Sequence, residues 1–110
     1  MARPEWVKGG PRVAKPLPGP RARKIIARDE RVMSPSYTRE EPLVGEEGYG
    51  CYVRDVDGNV FLDLSSGMFV LNYGYSHPAL MRAVQRQARR LTHFAGTDFY
   101  YEAQVELAEK

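Results

Sequence analysis

The sequence is short of the features that mark several common protein classes. A single cysteine, Cys51, stands among 110 residues, which excludes an internal disulfide and a cysteine-based zinc cluster. The only histidines are His77 and His93, and with Asp98 and Glu102 they match no established metal-ligand spacing. No apolar run approaches the length needed to span a bilayer. Residues 1–20 also lack the apolar centre of a secretory signal and are broken by Pro4, Pro11, Pro16, Pro18 and Pro20. Charge of one sign is scarce: a net +2 is too small to demand a polyanionic partner. Lysine is sparse too, confined to Lys8, Lys15, Lys24 and Lys110. A cytoplasmic protein is the expectation, with no membrane and no nucleic acid as partner.

The charge that is present is unevenly laid out. Arg3, Lys8, Arg12, Lys15, Arg21, Arg23, Lys24 and Arg28 meet only Glu5 before Asp29. No aromatic interleaving accompanies them, so residues 1–19 read as a flexible, solvated basic arm rich in Pro and Gly. Such composition is expected to bury too little surface to offset its chain entropy, with Trp6 the only large apolar anchor. Residues 20–110 form the remainder. Gly19-Pro20 opens a helix in which Ala22, Ile25 and Ile26 share a face, ending near Asp29 to Arg31. Pro42 to Gly45 leads into a strand that pairs with the hairpin described next, which puts Glu40, Glu41, Glu46 and Glu47 on solvated turns. Gly48-Tyr49-Gly50 precedes a strand and does not join a strand to a helix, so it reads as a turn and not as a dinucleotide fingerprint.

The strongest local signal is a hairpin. Cys51 to Arg54 and Val60 to Leu64 carry strand residues, and Asp57-Gly58-Asn59 supplies the turn between them. Val60, Leu62 and Leu64 alternate with Phe61 and Asp63, so the first set is expected to be buried. Cys51 is expected as a small packed hydrophobe on the strand. Met68 to Leu71 then forms an apolar loop, which has to be covered by protein or by a bound molecule. Ser65 or Ser66 with His77 and Asp63 makes a formal Ser-His-Asp set, but no nucleophile-elbow sequence surrounds either serine. Ser76-His77-Pro78 reads as a helix start in which the Ser76 hydroxyl caps free amides and His77 is structural. Leu80, Met81, Val84, Ala88 and Leu91 keep helical spacing, with Arg82, Arg86, Arg89 and Arg90 on a solvated face. Leu91 to Tyr101 is an aromatic loop that either shapes a pocket or interface or packs conventionally. From Glu102 onward Ala103, Val105, Leu107 and Ala108 stay in helical period to Lys110 without a cap, as in an element cut short.

The stretches DVDGNVFLDLSSGMFVLNYGYSHPALMRAV, LTHF and YYEAQVELAEK, in that order and spacing, resemble the start of a class III aminotransferase, from Ser34 to Lys110. The resemblance implies an α/β enzyme of fold type I, of which this chain is an α+β N-terminal fragment. It also implies a pyridoxal 5'-phosphate (PLP) cofactor held as a Schiff base on a lysine, and a homodimeric enzyme that moves an amino group from an ω-amino or amino-acid donor to a 2-oxo acid. No lysine here stands in a context resembling the Schiff-base site, so no catalytic or cofactor-binding residue is assigned and the fragment is expected to be inactive alone. By resemblance, Met68 and Phe69 fall where family members contact the substrate side chain, and Tyr37 where some place a substrate-facing tyrosine. Gly96 and Thr97 fall on the loop that approaches the site from the partner subunit. Tyr75 departs from the histidine that most members carry in a Gly-His-x-His-Pro pattern. An amino-acid racemase on the same scaffold and a non-catalytic basic binding module are the rival readings.

Overall fold

A computed structural model describes residues 2–110, arranged as two units that meet in the sequence between His77 and Pro78. The first unit holds helix α1 (Pro20–Val32) and a three-stranded antiparallel sheet of β1 (Gly45–Tyr49), β2 (Tyr52–Asp55) and β3 (Val60–Leu62), in that order. The second holds helices α2 (Pro78–Arg90) and α3 (Glu102–Ala108).

The hairpin forms as its residues dictate, with Tyr52 opposite Leu62, Val53 opposite Phe61 and Arg54 opposite Val60. Its turn is organised by buried polar groups. Asp55 Oδ1 accepts the amides of Asp57 (2.9 Å) and Asn59 (2.8 Å), and Asp55 Oδ2 accepts Asn59 Nδ2 at 2.7 Å. Asn59 Oδ1 in turn accepts the amides of Ala14 (2.7 Å) and Lys15 (2.8 Å). Asp57 reaches α1, accepting the amides of Arg21 (3.0 Å) and Ala22 (2.9 Å), two of the donors that a helix N-terminus leaves unpaired. Gly19 is required beside this cap, because a Cβ there would overlap the Asp57 carboxyl group.

Several expectations are corrected by this arrangement. Residues 2–19 lie along the hairpin: Arg12 and Val60 exchange amide-to-carbonyl bonds of 2.8 Å, and Val7 is fully buried. The segment therefore buries more than its composition suggested, because the hairpin turn supplies acceptors for its amides. Trp6 lies with its ring centre 5.7 Å from the Arg54 guanidinium. Of the alternating set only Val60 is buried, at the position where the backbone of Arg12 pairs with it; Leu62 and Leu64 are exposed. Cys51 is exposed in the turn between β1 and β2 and is not a packed strand residue. Glu46 and Glu47 sit on β1 beside a bulge, where Arg54 bridges both, at 3.3 and 2.9 Å, and Arg21 meets Glu46 at 3.0 Å. The Ser76 hydroxyl donates to the Gly48 carbonyl at 2.8 Å, which ties the chain back to β1.

In the second unit α2 and α3 occupy the expected stretches, and neither carries a buried residue. The stripe Leu80 to Leu91 is thus amphipathic in sequence while Val84 and Leu91 stay open to solvent.

Candidate functional site

A polar site outside the hairpin turn lies at the end of β3, around Asp63. Asp63 Oδ1 accepts the amide (2.8 Å) and hydroxyl (2.7 Å) of Ser65, the short-range turn that an Asp two residues before a serine favours. Its Oδ2 accepts the Gly67 amide (2.8 Å) and the Tyr75 hydroxyl (2.7 Å). Four donors thus converge on one carboxylate. The Tyr75 hydroxyl and then the Ser65 hydroxyl do most to hold Asp63 well below the usual carboxylate range, against the opposing effect of burial. The same bond, with burial and the carboxylate charge, leaves the Tyr75 phenol pushed up to about 12. At neutral pH Asp63 is therefore an anionic acceptor and Tyr75 a neutral donor. Neither is poised to exchange a proton there, so the pair acts as a clamp and not as an acid–base couple.

The clamp encloses an unusual turn. Ser66, Gly67, Met68 and Phe69 have φ of 53°, 60°, 63° and 66°, a single left-handed helical turn closed by Phe69 N–H to Ser65 O (2.7 Å) and Val70 N–H to Ser66 O (3.0 Å). Glycine adopts this region freely, but an L-residue there costs roughly 1–2 kcal/mol, and three of the four are not glycine. The apolar loop expected at residues 68–71 is this turn and its exit. Tyr75 fastens the return limb: its amide and carbonyl pair with those of Gly50 at 2.7 and 3.0 Å, and its ring covers Gly48, where a Cβ would overlap it.

Beside the clamp lies a cavity of about 500 Å³, floored by Leu17, Leu43, Val53 and Phe61, with Asp63, Ser65, Gly67 and Tyr75 along one side. A second cavity of about 920 Å³, between α1 and residues 34–45, includes Ile25, Ile26, Tyr37 and Arg39, and shares Glu41, Pro42 and Leu43 with the first. Tyr37 lies 4.9 Å below the Arg39 guanidinium, which Asp29 holds at 3.1 Å. Met68 and Phe69 are 74% and 81% exposed and line neither cavity. The structure therefore does not gather Tyr37, Met68 and Phe69 into one pocket. In the second unit, Gly96 lies against Tyr101 and Gln104, the Thr97 hydroxyl meets Asp98 Oδ2 at 3.1 Å, and Phe94 packs on Phe99 with ring centres 4.7 Å apart. His77 is exposed, with the Tyr73 ring at 6.5 Å. Asp63 and Tyr75 are the organising residues that sequence reasoning missed. The spacing Asp-x-Ser was the available signal for Asp63; nothing local marked Tyr75 as its partner.

A mixed sheet-and-helix segment is what the α/β expectation required, and known proteins place it. Residues 33–110 match the family Aminotransferase class-III, and the chain belongs to that family, whose members are PLP-dependent. Among its relatives, the alanine/serine racemase of Pyrococcus horikoshii is 37% identical, over 91% of this chain and 21% of its own length. The acetylornithine aminotransferase of Methanosarcina mazei is 36% identical, over 77% of this chain and 21% of its own. The solved acetylornithine aminotransferase of Elizabethkingia anophelis superposes with a TM-score of 0.67 at 30% identity, over 74% of this chain and 21% of that one. The chain spans about a fifth of the length of the curated relatives it matches.

The four lysines do not supply an anchor for PLP. Lys8 is paired with Glu5 at 2.6 Å, and Lys8, Lys15, Lys24 and Lys110 are all exposed and line neither cavity. The residues present do not by themselves fit the cofactor.

Proposed function

We propose that this chain is the N-terminal part of a PLP-dependent class III aminotransferase that moves an amino group from an ω-amino or amino-acid donor, 4-aminobutyrate-like, to a 2-oxo acid. The family match over residues 33–110 carries the reading, and the exposed Met68 and Phe69 on a held turn support it. In this reading Met68, Phe69 and Tyr37 face substrate, and Gly96 and Thr97 belong to the loop that approaches the site across a homodimer. The reactive lysine comes from polypeptide outside these residues, and a cytoplasmic location accords with the lone Cys51. The segment's own contribution is wall and orientation: it shapes the space beside the cofactor and decides which donor side chains are accommodated.

In the full-length enzyme, Phe69→Ala is expected to change the ratio of kcat/KM between a short and a long amino donor about tenfold while PLP content stays at wild-type level. Equal loss of both donors and of cofactor would assign Phe69 to folding instead. The 110-residue chain mixed with PLP is expected to form no stable, reducible adduct on a single lysine. A mapped adduct would contradict the reading.

The 37% identity with the alanine/serine racemase across 91% of the chain favours a second reading, an amino-acid racemase on the same scaffold. Interconversion of amino-acid enantiomers without any 2-oxo acid would select it.

A further inference from the structure

We infer that Asp63 and Tyr75 form a positioning pair, which holds Ser66–Phe69 in its left-handed turn and so fixes where the Met68 and Phe69 side chains stand. The conformational half of this inference rests on the chain itself, and its consequence for substrate choice rests on the function proposed above.

The turn has little else to hold it. None of its four residues is buried, so packing does not select the left-handed form. Gly67 tolerates that form without strain, but Ser66, Met68 and Phe69 do not, and the bonds closing the turn run only to the carbonyls of Ser65 and Ser66. The selecting contacts come from outside. Asp63 takes the Gly67 amide from inside the turn on the same oxygen that receives the Tyr75 hydroxyl from the returning limb. Tyr75 is in turn fixed by its backbone pairing to Gly50 and by its ring on Gly48, so the hydroxyl is aimed from a rigid base. Sheet, turn and return limb therefore meet at one oxygen, and loss of the hydroxyl removes the side-chain hydrogen bond that ties the return limb to the turn's anchor. The direction of the effect follows. With the link gone, the strained residues relax toward right-handed or extended backbone, and Met68 and Phe69 swing to new positions.

Tyr75→Phe tests this, because the ring stays on Gly48 and only the hydroxyl is removed. In the 110-residue chain, hydrogen exchange of amides in residues 64–72 is expected to quicken about tenfold or more, with residues 51–62 unchanged. Unchanged exchange in 64–72 overturns the inference, and so does equal quickening in 51–62, which would mark a general role in folding. If Tyr75→Phe fails to fold, Ser65→Ala, which removes one donor from the other Asp63 oxygen, is read the same way with a smaller factor. In the full-length enzyme, Tyr75→Phe is expected to shift the short-to-long donor ratio of kcat/KM about tenfold at unchanged PLP content. Equal loss for both donors overturns the positioning role. A wild-type enzyme inactive on every amino donor would fail the proposed function alone, and the exchange experiment would then decide the conformational inference by itself.

Discussion

Single carboxylates carry much of the order in the first unit. Asp57 closes the N-terminus of a helix 35 residues away in the sequence, and does so buried. Burial opposes its ionisation, but the amides of Arg21 and Ala22 and the charges of Lys15 and Arg21 outweigh it, so its pKa lies below the ordinary 3.8. Asp63 is lowered in the same sense. Groups lowered on folding stabilise fully above their unfolded values, and the contribution drains away as pH falls through the folded ones. Tyr75 has the opposite sign: raised from 10.0 to about 12, it stabilises fully below 10 and loses its contribution as pH rises through about 12. Urea midpoints measured against pH are therefore expected to fall on the acid side from about pH 4 downward, and to fall again between about 10 and 12. The alkaline fall should shrink in Tyr75→Phe. A midpoint indifferent to pH above 10 in the wild type would remove the Tyr75 hydroxyl from the account.

At the level of elements, the hairpin is a hub and not an isolated ribbon. A hairpin of this size is marginal alone, and here its turn gains an N-terminal segment through Asn59 and a helix through Asp57. Asn59→Ala leaves one buried Asp55 oxygen and the part-buried bonds of the Ala14 and Lys15 amides without their partner. Each such loss costs about 1–3 kcal/mol, so a destabilisation of about 3 kcal/mol is expected from thermal or urea unfolding. The emission of Trp6, the only tryptophan, should shift to longer wavelength as residues 2–19 leave the hairpin. A loss below about 0.5 kcal/mol would mean that water replaces these bonds freely. Of the buried polar residues Asp55, Asp57 and Asn59, the last two lie in the Asp57-Gly58-Asn59 turn that sequence pattern identified, and Asp55 ends β2. Their long-range partners were not legible, because a capping acceptor 35 residues from its helix leaves no periodic trace.

For the whole molecule, several large apolar side chains stand exposed. Leu64, Met68, Phe69, Val70 and Tyr100 are all more than two-thirds exposed, and neither helix of the second unit carries a buried residue. No helix among the described residues is long and apolar enough to cross a membrane. Surface of this kind favours association. The 110-residue chain is expected to bind an apolar dye and to grow in mass with concentration by light scattering, and Leu64→Ser with Phe69→Ser should weaken both. A monodisperse monomer at high concentration that does not bind the dye would show that this surface is tolerated in water.

The sequence by itself determined the hairpin, three helices and the family, because these depend on local residue preferences and on motif order, which a linear pattern records. It also put Val60, Leu62 and Leu64 on one face. Only the tertiary structure decided that Val60 alone is covered, that the arm's amides are taken up by Asn59, and that Asp63 and Tyr75 share a hydrogen bond across 12 residues. Burial and long-range pairing depend on which segments meet in space. Ser66, Met68 and Phe69 make the point most sharply, since their left-handed backbone runs against their intrinsic preference and persists beside the Asp63 carboxylate, which Tyr75 reaches from the returning chain.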